Sequence, residues 1–174
     1  MRVFVAVATP IEGVPGGGPA ARAPAHLSLA FLGEVGVGLL GTVETAVRVA
    51  AAGAAPFAAV VRGTGAFPDP RRPRIVFAWV TDGAEAIDRL AGSIRGALAA
   101  AGVAFDQRPF RAHLTLLRVR GPADQREARR LLDDDRDREF GRVEVRDVQV
   151  MASELTASGA EHRTLARCPL EGER

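Results

Sequence analysis

The sequence contains the tetrapeptide His26-Leu27-Ser28-Leu29 and, 87 residues later, the closely similar His113-Leu114-Thr115-Leu116. Residues i and i+2 of a β-strand share a face, so each tetrapeptide in a strand would present a histidine and a hydroxyl on one face and two leucines on the other. The leucines suit burial, whereas the polar pair suits a site. A motif repeated half a chain apart predicts two related lobes that each supply one strand to a shared site.

Length and composition predict one folded domain over residues 1–174, because 47% of its 174 residues are apolar and 25% are charged. The apolar runs are far shorter than the ~20 residues that span a bilayer. The single cysteine, Cys168, excludes an internal disulfide and a Cys-based zinc site. All 23 basic residues are arginine, which excludes chemistry that needs a Schiff-base or P-loop lysine. We therefore expect a cytoplasmic protein without membrane association and with no evident protein partner.

The formal charge of +2 argues against a protein that coats duplex nucleic acid, since such binding needs an extended basic face. It still permits a local pocket in which arginine forks hold one phosphate. Arg71, Arg72 and Arg74 lie in a Pro-rich turn between two predicted strands. They either extend a basic rim toward a longer RNA or form a solvated hairpin tip.

Hydrophobic periodicity predicts ten elements in an α+β order rather than a strict βαβ alternation. Strands are expected at Arg2–Ala8, Ala25–Leu32, Pro56–Phe67, Arg74–Thr81, His113–Arg120, Val143–Leu155 and His162–Leu170, and helices at Leu39–Ala52, from Asp82 or Gly83 to Ala101, and at Pro122–Asp133. The segment Pro10–Pro24 holds three consecutive glycines and four prolines and is expected to be an irregular loop. Val143–Leu155 and His162–Leu170 are expected to form a closing β-hairpin.

Two imidazoles that face one electrophile can divide general-acid and general-base work, because histidine titrates near neutrality. Hydroxyls such as those of Ser28 and Thr115 can donate hydrogen bonds to the non-bridging oxygens of a phosphate. These groups predict in-line attack on a phosphodiester without a metal ion, most readily on a strained five-membered cyclic phosphate. Zinc binding by His26 and His113 is the alternative, but no Asp, Glu or Cys repeats with them as a further ligand.

The paired motifs resemble those of the two-histidine (2H) phosphoesterase superfamily, and more narrowly those of the RNA 2′,3′-cyclic phosphodiesterases, historically called 2′-5′ RNA ligases. The resemblance covers nearly the whole chain in order, through M-R-V-F-V-A-V, H-L-S-L-A-F-L-G-E-V, R-I-V-F-A-W-V, R-P-F-R-A-H-L-T-L-L-R-V-R and the closing hairpin. It implies a bilobal α+β fold. Two pseudo-twofold-related antiparallel sheets with outer helices would enclose a central cleft, which the strands at 26–29 and 113–116 would face.

The resemblance also implies hydrolysis of 2′,3′-cyclic phosphates, at RNA ends or on nucleotides, to 2′-phosphomonoesters without a metal or other cofactor. His26 would protonate the departing 3′ oxygen and His113 would activate water, although the nearly symmetric motifs leave these roles interchangeable. Ser28, Thr115 and Arg118 would hold the phosphate. On a regular strand Arg118 would face away from Thr115, so a twist or bulge must bring it round. The alternatives are a non-catalytic module that binds RNA ends and a reversible 2′-5′ RNA ligase.

The sequence departs from the family's pattern at four places. Ser28 stands where threonine is commoner, and Ala30 replaces a basic residue. His162 replaces a tyrosine and is expected at the surface or pocket edge rather than as a third catalyst. Residues 9–25 are too few and too rich in Gly and Pro for the helix that relatives usually carry there.

The aromatic residues of the predicted strands, including Phe4, Phe31, Phe77 and Trp79, are expected in the core. Phe31 or Phe110 is a candidate for stacking on a base.

Overall fold

The computed structural model describes residues 1–11, 25–156 and 159–173. Within them the chain forms, in order, β1 (Arg2–Ala8), β2 (His26–Glu34), α1 (Leu40–Ala52), β3 (Phe57–Phe67), β4 (Ile75–Val80), α2 (Ala84–Ala100), β5 (His113–Arg118), α3 (Pro122–Asp134), β6 (Glu139–Val145), β7 (Asp147–Thr156) and β8 (Gly159–Pro169). The loop expected at Pro10–Pro24 lies, apart from its first two residues, outside the described residues. None of the helices in the described ranges is long and apolar enough to cross a membrane.

The strand expected at Val143–Leu155 is wrong, because the chain forms two strands there, β6 and β7, separated by Arg146. Val143 and Val145 are buried at odd positions, whereas Val148 and Val150 are buried at even positions. This change of parity shows that the alternation is interrupted between them. The other predicted elements are present, with ends that differ by a few residues.

The eight strands form one antiparallel sheet in the order β6-β3-β4-β5-β2-β1-β7-β8. It consists of two four-stranded halves that meet where β2 pairs with β5, with Leu27 opposite Leu114. Each half places its His-Leu-Ser/Thr-Leu strand innermost, at this seam. The two sheets expected from the family resemblance are therefore the two halves of one continuous sheet.

The connection between β6 and β7 requires this sheet to curl. The two strands occupy the first and seventh places in the sheet order, yet only Arg146 lies between them. Six steps of about 4.8 Å would separate them by about 29 Å in a flat sheet. One residue spans only two Cα steps of about 3.8 Å each, so a flat sheet could not be joined in this way. The curl brings the edge strand of one half near the other half.

The two faces of the sheet have different roles. The leucines of both motifs are buried in one apolar core with the inner residues of the helices, which include Val43 of α1, Ile87 of α2 and Leu131 of α3. A small separate apolar cluster, formed by Phe4, Ala6 and Met151, lies apart from that core. Phe4 and Ala6 alternate with the core residues Val3 and Val5 of β1, so the small cluster marks the opposite face. We call this opposite face the site face.

Candidate active site

The two motif strands lie side by side in the middle of the sheet. Because Leu27 is opposite Leu114 in an antiparallel pair, continuing this register places His26 across from Thr115 and Ser28 across from His113. All four of these polar residues are half-buried. The two histidines are then diagonal neighbours, whose backbones lie about 7–8 Å apart in such a pair. The structure therefore brings the four residues predicted from the motifs onto the site face.

A β-bulge in β5 brings Arg118 to the same face. Across β4 and β5, Phe77 is opposite Thr115 and Val76 is opposite Leu117, so Leu116 is an extra residue. Leu116 and Leu117 are both buried, and Arg118 is exposed. The alternation of side chains therefore shifts by one position, and Arg118 faces the same side as Thr115. This is the kind of bulge that the assignment of Arg118 to the site requires.

β2 contains the equivalent bulge. Across β1 and β2, Ala6 is opposite Ser28 and Val5 is opposite Ala30, so Leu29 is the extra residue. Leu29 and Ala30 are both buried, and the next residue, Phe31, is 47% exposed. Phe31 thus occupies in β2 the place that Arg118 occupies in β5. The expectation that Phe31 lies in the core is wrong, because the bulge turns its ring to the site face.

The His113 ring is held by aromatic side chains and by one backbone carbonyl. Its centroid lies 5.5 Å from that of Phe67 and 5.2 Å from that of Phe77. Its Nδ1 lies 2.6 Å from the carbonyl oxygen of Arg111. A carbonyl oxygen only accepts hydrogen bonds, so Nδ1 carries a proton and donates it. In the neutral ring the lone pair is then on Nε2, the nitrogen that can accept a proton.

The surroundings of His113 favour this neutral form. Burial lowers the pKa of His113 from its ordinary value. The hydrogen bond to Arg111 opposes this change, and the positive charge of Arg118 lowers the pKa further. Since burial is the largest of these effects, His113 is set up as a base at neutral pH.

The aromatic residues beneath His113 pack closely because a glycine lies under them. Phe77 stacks on Phe67 at 4.4 Å and contacts Trp79 edge-on at 4.5 Å. A Cβ on Gly65 would lie 2.7 Å from Cζ of Phe77 and 3.1 Å from Nε1 of Trp79. A side chain at position 65 would therefore displace the rings that support His113.

His26 lies in a second aromatic cluster. Its ring centroid is 4.9 Å from that of Phe4 and 4.9 Å from that of His162, which it meets at an interplanar angle of 73°. Phe4 and His162 are themselves 5.0 Å apart. The expectation that His162 lies at the surface or pocket edge therefore understates its position, because its half-buried ring touches a motif histidine.

The electrostatics of His162 resemble those of His113. Burial is the main cause that lowers the pKa of His162, and the charge of Arg118 lowers it further. Its Nδ1 is buried and has no hydrogen-bond partner among the described residues. His162 therefore favours the neutral form beside His26.

Arg118 connects the two clusters electrostatically, because its charge acts on His113 and on His162. In the described part of the chain it forms no ion pair with a carboxylate. A guanidinium without a carboxylate partner is suited to an anionic ligand, and its planar fork matches phosphate oxygens. No three His, Cys, Asp or Glu side chains converge as a metal-ligand set in the described ranges.

Comparison with known proteins identifies the family of this site. The family model described as the 2′-5′ RNA ligase superfamily matches residues 4–156, which include both motifs. The chain belongs to this superfamily. It is 34% identical to a protein of Aeropyrum pernix over 140 residues, which cover 80% of this chain and 78% of that one. It is 36% identical to a protein of Archaeoglobus fulgidus over 140 residues, which cover 80% and 76% of the two chains. Both relatives are named RNA 2′,3′-cyclic phosphodiesterase.

Solved structures agree with this membership. A protein of Thermus thermophilus superposes with a TM-score of 0.78 and 30% identity, with 100% of both chains covered. Escherichia coli LigT in complex with 3′-AMP superposes with a TM-score of 0.68 and 24% identity over 97% of each chain, and shares the fold. The 2H phosphoesterase fold and family predicted from the paired motifs are confirmed. The prediction of a phosphodiesterase is confirmed at the level of the family.

Proposed function

We propose that this protein hydrolyses 2′,3′-cyclic phosphates, at RNA ends or on nucleotides, to 2′-phosphomonoesters without a metal ion. The observation that supports this most directly is the arrangement at the seam of the sheet. Two histidines and two hydroxyls lie on one face, and one histidine is fixed by a carbonyl as a neutral base. The names of the relatives point to the same substrate class.

In the proposed reaction, Nε2 of neutral His113 accepts a proton from a water molecule, whose oxygen attacks phosphorus. The new P–O bond forms as the bond from phosphorus to the 3′ oxygen breaks on the opposite side. Protonated His26 gives its proton to the departing 3′ oxygen, so the product carries a 2′-phosphate and a free 3′ hydroxyl. One proton is taken up and one is released by the histidine pair. Both histidines return to their starting forms by exchange with solvent.

Ser28, Thr115 and Arg118 would hold the non-bridging oxygens during this step. Negative charge is concentrated on those oxygens as the attacking oxygen adds, and donors already fixed in position stabilise it without reorganisation. The curl of the sheet would make the site face one wall of a cleft between its two halves. The reverse reaction, 2′-5′ joining, would use the same groups, but water at its normal concentration makes hydrolysis the net direction.

The metal independence of the reaction is tested by assaying 2′,3′-cyclic nucleotides in excess EDTA. We expect the rate to be unchanged and the product to be the 2′-phosphate, because the histidines supply both proton transfers. The product isomer is identified by chromatography against 2′- and 3′-phosphate standards. Loss of activity in EDTA that a divalent ion restores would contradict the proposed chemistry, as would formation of the 3′-phosphate.

A second prediction concerns the pH dependence of kcat/KM. His113 must be neutral to accept a proton, and burial lowers its pKa, so the rise of kcat/KM on the acid side should lie below the ordinary histidine value of about 6.5. The charge of Arg118 also lowers this pKa, so Arg118→Gln should shift the rise to higher pH. This shift is separate from any increase in KM caused by the loss of a phosphate contact. An unchanged acid limb in Arg118→Gln would show that Arg118 does not act on the base.

A further inference from the structure

A group of arginines without carboxylate partners in the described ranges continues outward from the site. Arg71, Arg72 and Arg74 lie in the turn between β3 and β4, whereas Arg118 and Arg120 lie at and just beyond the end of β5. We call these five residues the arginine rim. All five are exposed. The two parts of the rim are adjacent, because the backbone N–H of Val119 donates a 2.9 Å hydrogen bond to the carbonyl oxygen of Arg74.

The rim differs in its pairing from many other arginines of the chain. Among the described residues none of its members forms an ion pair with a carboxylate, although arginines elsewhere do, such as Arg48 with Glu44 and Arg130 with Glu127. An exposed guanidinium with no intramolecular partner keeps its full capacity to bind an external anion. Five such groups side by side form a local basic surface.

The two acidic residues within the rim segments shape the backbone instead of neutralising the guanidiniums. Oδ1 of Asp69 accepts hydrogen bonds from the backbone N–H groups of Arg71 and Arg72, at 2.8 and 3.1 Å. Oδ2 of Asp124 accepts a hydrogen bond from the backbone N–H of Arg120 at 2.8 Å. Segments 67–74 and 118–124 therefore carry a net formal charge of +3, in a chain whose total is +2. The rest of the molecule is slightly acidic, so the positive charge is concentrated beside the site.

The turn that carries three of these arginines is also restrained. Pro68, Pro70 and Pro73 fix three backbone φ angles within it, and Asp69 closes the turn by its two hydrogen bonds. A restrained turn loses less conformational entropy when its side chains bind a ligand. The turn is therefore built as a basic surface rather than as a loose hairpin tip.

We propose that the arginine rim binds the backbone phosphates of a single-stranded RNA whose 3′ end carries the cyclic phosphate. The inference rests on the proposed function, since it takes the cyclic phosphate to lie between His26 and His113. A cyclic phosphate occupies the 3′ terminus, so the strand continues only toward its 5′ side. With the cyclic phosphate at Arg118, the preceding phosphates follow the rim toward Arg74, Arg72 and Arg71. The preferred substrate is then an oligonucleotide rather than a cyclic mononucleotide.

The test compares two double variants that each remove two charges. Arg71→Gln/Arg72→Gln alters the rim, whereas Arg126→Gln/Arg129→Gln alters α3, on the opposite face of the sheet, where both arginines are also exposed. kcat/KM is measured for a cyclic mononucleotide and for a hexanucleotide with a 2′,3′-cyclic phosphate end, at several salt concentrations. The rim variant should lose about tenfold on the hexanucleotide and less than about twofold on the mononucleotide. Its log–log salt slope should become shallower by about 1.4, since each lost phosphate contact on a single strand accounts for about 0.7. The α3 variant should match the unmodified protein on both substrates.

Three results separate this inference from the proposed function. Equal losses of the rim variant on both substrates, or equal losses of both variants on the hexanucleotide, would overturn the assignment of a strand-binding surface. An unchanged rim variant would overturn it too, while the proposed activity would stand. If the unmodified protein hydrolyses neither substrate, the proposed function fails. The rim is then judged by the binding of a fluorescent hexanucleotide with a 2′-phosphate end, which only the rim variant should weaken.

Discussion

His113→Gln should lower kcat by about 10²–10⁴-fold, the range that a positioned general base contributes. Glutamine has a similar length and can still donate a hydrogen bond to the carbonyl oxygen of Arg111, but it cannot accept a proton from water near neutral pH. Single-turnover hydrolysis of a cyclic nucleotide measures the loss. Binding of the product 2′-phosphate should change little, because Ser28, Thr115 and Arg118 remain in place.

The pH profile of this variant decides the role of His113. If His113 is the base, the acid limb of kcat/KM disappears in the variant and the alkaline limb remains. Near-UV circular dichroism serves as the folding control, since Phe67, Phe77 and Trp79 pack around this position. A non-catalytic module that only binds RNA ends would show no turnover in the unmodified protein. A His113→Gln variant that retained full activity would exclude His113 as the base.

Much of the site could be predicted from the sequence, because its key geometry is local to two strands. The period of two places each histidine and hydroxyl on one face, and two leucines on the other face anchor each strand in the core. The need for a bulge before Arg118 could also be deduced, since Thr115 and Arg118 have opposite parity on a regular strand. The structure adds that the bulge occurs in both motif strands, at Leu116 and at Leu29.

The surroundings of the histidines could not be predicted, because they depend on how strands far apart in sequence are ordered. His26 meets His162 across β1 and β7, and no local pattern in β8 indicates this contact. The exposure of Phe31 depends on a bulge that hydrophobic alternation alone does not locate. The break at Arg146 had a signal in the shifted parity of the valines, but the pattern does not tell a bend within one strand from a transfer between the two halves of a sheet.

His26→Gln should also lower kcat by about 10²–10⁴-fold, but for the opposite reason, since it removes the proton donor to the 3′ oxygen. The alkaline limb of kcat/KM should then disappear and the acid limb set by His113 should remain. Glutamine keeps a side chain of similar size against Phe4 and His162, so the aromatic cluster should stay packed. If His26→Gln lost the acid limb and His113→Gln the alkaline limb, the two roles would have to be exchanged.

The double variant His26→Gln/His113→Gln tests whether the two histidines act on the same phosphorus. Groups that act together in one step are strongly non-additive, because once one of them is lost the remaining one contributes little to the slower residual reaction. The double variant should therefore lose much less activity than the product of the two single losses, and its residual rate should be close to that of the slower single variant. Fully multiplicative losses would mean that the histidines act in independent steps, so that the diagonal arrangement across Leu27 and Leu114 would not be the basis of catalysis.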